Sequence, residues 1–364
     1  MKAITFEGKR KVAYSDAADP RVTEATDVIV RVRAAGICGS DLHPYHEREK
    51  MDQGTIMGHE FVGEVIEVGS GVESFTKGDV VFSPFTTNCG VCFYCQSGLT
   101  CRCDSGQFFG WVYDGVGLQG SQAEYVRAPL ADGTLMHVPE GVSFAAALLL
   151  GDILSTGFFC AEQAGVGLLD DNGLARAPAA PLLGASRTYA IVGCGPVGMM
   201  TILAAYYLGA EEVFVIDTIP ERLATAEQMG AVALDYRLDP VADVVREATD
   251  GRGADAVMEA VGARSAMDLA VEIVRPGGVV SSVGVNTDKS FSFTPGDAYD
   301  KNLTFRSGRC PARYYMQRLA PLVGAKQIDP EFVFSHRMPL SEGVNAYQIF
   351  DQKLDGCTKV LLEL

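Results

Sequence analysis

From Tyr189 onward the chain reads as a buried apolar strand, Tyr189-Ala190-Ile191-Val192-Gly193, that runs directly into Gly195-Pro196-Val197-Gly198 and a helix reaching to about Leu208. Few folds accommodate Gly193-x-Gly195-x-x-Gly198 at a strand-to-helix junction. The first glycine permits the tight turn, the second lets the backbone approach a pyrophosphate, and the third lets helix pack on strand, with the helix N-terminus facing the anion. The next strand, Val213 to Asp217, ends on an acid. A carboxylate there accepts hydrogen bonds from the hydroxyls of an adenosine ribose and repels a 2′-phosphate, which favours NAD over NADP. Arg222 nearby weakens that preference, and a cap before Pro220 is the other role open to Asp217. Strands at Val232–Leu234, Ala254–Glu259, Gly278–Gly284 and Leu303–Phe305 alternate with helices, so this region is α/β, a doubly wound parallel sheet.

A chain of 364 residues exceeds what one hydrophobic core serves, so two domains are expected. The net charge of -16 argues against nucleic acid or an anionic membrane surface as partner, since both need a basic face. No charged-then-apolar pattern opens the sequence, and the apolar run Phe144–Ala161 is interrupted by Gly151, Asp152 and Gly157. That run reads as buried protein rather than a bilayer span, and a cytoplasmic location is expected. Ten cysteines without an export signal point to metal ligands rather than disulfides.

Before the glycine turn the pattern changes to short strands punctuated by glycine turns. Val28–Arg33 alternates and runs through Gly36 into Cys38; Phe61–Val68 starts directly after Glu60 and ends at Gly69-Ser70-Gly71; Val80–Phe82 follows. A small β-barrel or sandwich is expected for this β-rich part. The Cys38 thiolate and the His59 imidazole are two of the three protein ligands that a catalytic zinc takes. Asp152, placed after an apolar helix, needs a partner for its charge and is the candidate third ligand; a cap on the helix near Leu154 is the alternative. Cys89-x-x-Cys92-x-x-Cys95 converges its thiolates from one loop, and Cys103 closes a tetrahedron of the structural-zinc type. An iron–sulfur site uses similar spacing, and Cys101 competes with Cys103 for the last position.

These motifs, in this order, resemble the zinc-dependent medium-chain alcohol dehydrogenases over essentially the whole chain. The resemblance is carried by Gly36-x-Cys38-Gly39-Ser40-Asp41-x-His43, Gly58-His59-Glu60, the cysteine lobe and the glycine turn. It implies a GroES-like catalytic domain over 1–155, a Rossmann domain over 156–300, a return to the catalytic domain over 301–364, and an active site in the cleft between domains. Cys38, His59 and Asp152 would hold the catalytic zinc, with Glu60 exchanging on and off the metal. Asp41 would orient His59. Ser40 and His43 would relay the substrate proton through the nicotinamide ribose to water, and Phe85 would wall the substrate pocket. Gly193, Gly195, Pro196, Val197, Gly198, Asp217, Arg222, Val261, Val283 and Val285 would contact NAD.

An aspartate where the family commonly has a cysteine looks like the formaldehyde dehydrogenase-like branch, which Gly151-Asp152-Ile153-Leu154-Ser155-Thr156-Gly157-Phe158 resembles best. The implied cofactors are one catalytic zinc, one structural zinc and NAD. The implied partners are a small alcohol or aldehyde and further copies of the chain in a homodimer or homotetramer. The rival readings are a polyol or amino-alcohol dehydrogenase, a formaldehyde dismutase, or a nucleotide-binding relative without catalysis. The segment 166–187 is longer than the family's usual connection and is expected to cover the cleft or an oligomer contact.

Overall fold

The structure, a computed structural model, describes residues 1–167, 187–288 and 290–364. The long 166–187 connection, apart from its ends, and the role expected of it fall outside these residues. Two compact units are present, Met1–Ser155 with Pro311–Leu364, and Thr156–Cys310.

The first unit opens with an antiparallel hairpin, β1 (Lys2–Gly8) and β2 (Lys11–Asp16). β3 (Val28–Ile37) places Arg31 and Arg33 in solvent and buries its other residues. A short helix α1 (Leu42–Tyr45), β4 (Phe61–Val68) and β5 (Val80–Phe82) follow. Ala35 of β3 lies opposite Phe61 of β4 in antiparallel register. The segment leaving β3 and the segment entering β4 therefore meet at one end of the sheet, and these carry Cys38 and His59. The cysteine-rich loop contains α2 (Phe93–Gln96) and is followed by the hairpin β6 (Trp111–Tyr113) and β7 (Val116–Leu118). β8 (Tyr125–Ala128) pairs with β3 and, beyond α3 (Ala131–Thr134), β9 (Met136–His137) pairs with β5 in the same sheet. Its core is Val28, Val30, Val32, Phe61, Val65, Val81, Phe109 and Leu135. Ser143 caps α4 (Phe144–Leu150) by accepting from the Ala146 amide at 3.0 Å, and Ala145 to Leu150 are buried. α5 (Ile153–Gln163) starts just beyond Asp152.

In the second unit β10 (Thr188–Val192), α6 (Pro196–Tyr207), β11 (Glu212–Asp217), α7 (Pro220–Gln228), β12 (Val232–Asp235) and α8 (Val241–Ala248) alternate. β13 (Ala254–Glu259), α9 (Arg264–Ile273), β14 (Val274–Ser282), α10 (Pro295–Lys301) and β15 (Thr304–Ser307) continue the pattern. The described strands form one parallel sheet in the order β12-β11-β10-β13-β14-β15. Order reverses beside β10, so the turn after it opens at a topological switch point. Gly193 there has φ +97°, and a Cβ would collide with the Val261 side chain. Residues 301–310, expected in the returning segment, belong to the second unit because β15 pairs with β14.

The return consists of α11 (Ala312–Gly324), β16 (Phe334–Pro339), α12 (Gly343–Gln352) and β17 (Lys359–Glu363). β17 inserts between β16 and β3, pairing Val360 with Ile37, and gives the order β16-β17-β3-β4-β5-β9, with β8 also on β3. α12 buries Tyr347 and Phe350 against Ile4, Ile37 and Met57. Among the described residues no single helix is long and apolar enough to cross a membrane.

Candidate metal centre and nucleotide site

Cys38 precedes a single 3-10 turn, Gly39–Asp41, whose Asp41 carboxylate accepts from the Cys38 amide at 2.9 Å. This reciprocal cap fixes the loop that leaves β3. The other Asp41 oxygen lies 3.2 Å from His59 Nδ1, which directs Nε2 the opposite way. On that side Asp152 Oδ2 stands 3.3 Å from His59 Nε2 and 3.3 Å from Cys38 Sγ. Cys38, His59, Glu60 and Asp152 are all buried, with ligand atoms within 4.8 Å of one another.

The electrostatics of this cluster favour a cation. Burial opposes a charge on His59, but Asp41 and Asp152 outweigh it and hold the imidazole well above its ordinary pKa. Burial would likewise raise Asp152, yet its contacts with His59 draw it down to about 2. Burial and then the Asp152 charge push the Cys38 thiol up. Without a metal the site keeps protons on sulfur and imidazole; a divalent cation replaces both. One sulfur, one imidazole nitrogen and one carboxylate oxygen converging from three segments fit zinc.

Around this cluster Ser40 Oγ lies 3.2 Å from His59 Nε2. His43 is on α1 with a buried Nδ1 that has no hydrogen-bond partner, and burial lowers its pKa. Phe85 is buried and meets His59 edge-on, with ring centroids 6.4 Å apart. Phe108 lies closer, 5.3 Å from the His59 ring and 5.6 Å from Phe85. No spacing in the sequence marks Phe108. His46, which ends α1, lies 2.7 Å from Asp351.

Glu60 has a partner that sequence reasoning missed. Lys359, on β17, is fully buried and lies 2.6 Å from each Glu60 carboxylate oxygen. Burial works against the lysine charge, but Glu60 outweighs it and holds Lys359 above the ordinary lysine range. The single apparent clue was a lysine opening a strand whose next three residues, Val360 to Leu362, are apolar.

The sulfurs of Cys89, Cys92, Cys95 and Cys103 also lie within 4.8 Å of one another, and Cys101 stands outside this group. The loop's own amides point at them: Cys89 N is 3.1 Å from Cys103 Sγ and Cys92 N is 3.3 Å from Cys89 Sγ. Backbone donors at Asp104 and Cys95 bring the Cys92 thiol down to about 7, whereas burial pushes Cys95 up to about 12.

In the second unit α6 starts at Pro196 with Gly195 as its cap, leaving the first-turn amides directed out of the glycine turn. Asp217 Oδ2 accepts from Cys194 N at 2.7 Å, and Oδ1 accepts from Thr218 N at 2.6 Å and Ile219 N at 3.0 Å. The acid thus holds the glycine turn in place. Arg222 Nη1 comes within 3.5 Å of the position a Cβ at Gly195 would take, and its Nε is buried without a partner. Val261 and Val285 are exposed at the same strand ends as Val283. Glu259, fully buried and not foreseen, accepts from the amides of Val261 and Gly262 at 2.7 and 2.6 Å and from Ser282 Oγ at 2.8 Å.

Comparison with known proteins bears on both sites. Residues 24–140 match the alcohol dehydrogenase GroES-like domain, and residues 196–324 match the zinc-binding dehydrogenase domain. The zinc-type alcohol dehydrogenase B of Aspergillus flavus is 39% identical over 353 residues, covering 96% of this chain and 79% of that one. The zinc-type alcohol dehydrogenase-like protein AdhB of Bacillus subtilis is 35% identical over 395 residues and the whole of both chains. Among solved structures, alcohol dehydrogenase TADH from Thermus sp. ATN1 superposes with a TM-score of 0.89 at 38% identity, covering 100% of this chain and 99% of that one. With a buried sulfur–imidazole–carboxylate cluster in its GroES-like unit and a glycine turn on its Rossmann sheet, this chain belongs to the zinc-type alcohol dehydrogenase family, as a zinc-dependent oxidoreductase of alcohols whose cofactors are zinc and a nicotinamide dinucleotide.

Proposed function

We propose that the protein oxidises a small alcohol, or an aldehyde hydrate, by hydride transfer to NAD, in the manner of the formaldehyde dehydrogenase-like branch with aspartate as third zinc ligand. The observation that carries this is the position of Asp152 Oδ2, 3.3 Å from both Cys38 Sγ and His59 Nε2. Cys38, His59 and Asp152 would hold the catalytic zinc, and Cys89, Cys92, Cys95 and Cys103 the structural one. When bound, the catalytic zinc acts as a Lewis acid that lowers the proton affinity of a substrate hydroxyl.

The chain's own residues manage the proton. Ser40, 3.2 Å from His59 Nε2, is placed to take it from the substrate hydroxyl. His43, held neutral by burial and with Nδ1 unpaired, is suited to receive it and release it to water. Asp41 keeps His59 in the tautomer whose Nε2 faces the cluster. Phe85 and Phe108 give the substrate an apolar wall. Glu60, with both oxygens held by Lys359, sits beside the ligands with its pKa pushed up to about 7 because burial outweighs the pull of the lysine, and exchange onto the metal requires that pair to open. Asp217 selects NAD through the ribose hydroxyls, and the turn Gly193–Gly198 with Arg222, Val261, Val283 and Val285 receives the rest. Balanced overall, alcohol and NAD⁺ give carbonyl compound, NADH and one proton.

The open edge of β15 suits a homodimer or homotetramer built through the Rossmann sheet. The deciding experiment is a panel of alcohols and aldehydes with NAD and NADP, followed by absorbance of the reduced coenzyme, together with metal analysis of the same sample. No substrate-dependent reduction from protein carrying two zinc ions per chain would reject the reading; disproportionation of an aldehyde without added coenzyme would favour the dismutase.

A further inference from the structure

Behind the metal cluster the structure holds a chain of buried polar groups that the mechanism above does not use. Tyr347, on α12, is fully buried, and its hydroxyl lies 2.9 Å from Gln122 Oε1. Burial holds this phenol well above its ordinary pKa, so it stays protonated and donates to the amide oxygen. That contact fixes which way the Gln122 amide faces. Its nitrogen donates to Gly36 O at 2.9 Å and reaches Asp41 Oδ2 at 3.4 Å, the oxygen that also accepts from Cys38 N. Asp41 Oδ1 then meets His59 Nδ1.

The backbone is shaped to admit this chain. Gly58, immediately before His59, has φ +87°, and a Cβ there would collide with the Gln122 side chain. Gln122 therefore lies directly against the ligand-bearing backbone, in a fully buried position where an unsatisfied amide is costly.

Resting on the reading that Cys38, His59 and Asp152 hold zinc, we infer that Gln122 and Tyr347 are positioning residues that orient the Asp41 carboxylate, and through it the His59 imidazole, for metal binding. A residue of α12 thereby sets how tightly the metal is held. Loss of an outer partner of a metal-binding histidine typically lowers affinity by about 10–100-fold, and these residues stand one and two steps further out.

The test uses the full-length protein with cobalt(II) exchanged into the catalytic position, in native form and as Tyr347→Phe, Gln122→Leu and Phe350→Leu. Phe350 shares α12 and is buried in the same apolar cluster, so its variant disturbs packing without touching the polar chain. Tyr347→Phe and Gln122→Leu should shift the visible cobalt bands and release metal to a chelator roughly 3–30-fold faster, somewhat below the range for a direct partner. Phe350→Leu should lower thermal stability with bands and release rate unchanged. Bands and release rates identical to native in both polar variants, or equal changes in Phe350→Leu, would overturn the inference. If one polar variant fails to fold, the other decides. Native protein showing no cobalt–thiolate absorption would instead overturn the underlying zinc reading, so the two failures are distinguishable.

Discussion

Lys359 and Glu60 form a fully buried ion pair, with one ammonium nitrogen 2.6 Å from both carboxylate oxygens and neither side chain exposed. Removing the lysine leaves Glu60, whose pKa burial already pushes up to about 7, without its counter-charge in a site that water does not reach. Lys359→Met is therefore expected to destabilise the protein by about 3–5 kcal/mol, and Lys359→Met combined with Glu60→Gln to recover most of that loss. Denaturant unfolding of the single and double variants measures both. A double variant no more stable than the single one would show that the lysine acts by packing rather than charge.

Asp152 is expected to be a metal ligand rather than a cap on α5. Asp152→Ala should lose the catalytic zinc on dialysis, with an affinity loss exceeding the roughly 10–100-fold cost of an outer partner. Asp152→Cys should keep it, since thiolate is an equally good zinc ligand. Elemental analysis gives the metal count, and full zinc retention in Asp152→Ala would refute the assignment.

In the cysteine lobe, Cys103→Ser should lose the structural zinc and Cys101→Ser should retain it, because Cys103 alone of the two joins the sulfur cluster. Metal content per chain, read together with resistance of the loop to protease, separates the outcomes. The reverse pattern would exchange the roles of the two cysteines.

Coenzyme choice tests Asp217. The carboxylate also anchors the amides of Cys194, Thr218 and Ile219, so Asp217→Gly weakens the turn for either coenzyme. The informative quantity is the ratio of kcat/KM values for NAD and NADP, which should fall by roughly tenfold or more when a charge-assisted hydrogen bond of about 1.5–3 kcal/mol is lost. An unaltered ratio would show that selection lies elsewhere.

Acid stability is expected to depend on Asp27, a buried carboxylate that accepts from the amides of Thr23 and Glu24 and from Arg127, each at 3.0 Å. Burial raises its pKa, but these donors outweigh it and leave the net value below 3.8. With the folded value depressed, the stabilisation is present above the unfolded value and disappears as pH falls through the folded one. Asp27→Asn should cost about 1–3 kcal/mol at neutral pH and progressively less in acid. Unfolding curves from pH 7 downward provide the check; a gap that does not narrow would exclude the ionic explanation.

Much of the fold, and the grouping of the candidate site's residues, could be read from local spacing. Gly193, Gly195 and Gly198 report a turn within a few residues, Cys89, Cys92 and Cys95 converge from one loop, and the valines of β3 declare its buried face. Lys359, Tyr347 and Phe108 leave no such mark. Each acquires meaning only through a partner brought near by tertiary folding, as Tyr347 meets Gln122 across 225 positions. β16 and the β1–β2 hairpin were missed for a related reason: β16 alternates half-buried and exposed residues with little apolar contrast. The 301–310 boundary was misplaced because β15 is a short edge strand, none of it fully buried.

The insertion of β17 between β16 and β3 has a consequence for biosynthesis. Glu60 and its counter-ion are separated by 299 positions, and the entire second unit is translated between them. A ribosome therefore exposes Cys38 and His59 long before the strand that neutralises their acidic neighbour exists. Domains generally fold as units during synthesis, so this β-rich unit is expected to complete only with β17, after the Rossmann unit. Stalled nascent chains ending before Lys359 should accordingly be cut by protease between residues 1 and 155 while 188–310 resists; equal resistance of both regions would show that the half carrying Cys38 and His59 matures without β17.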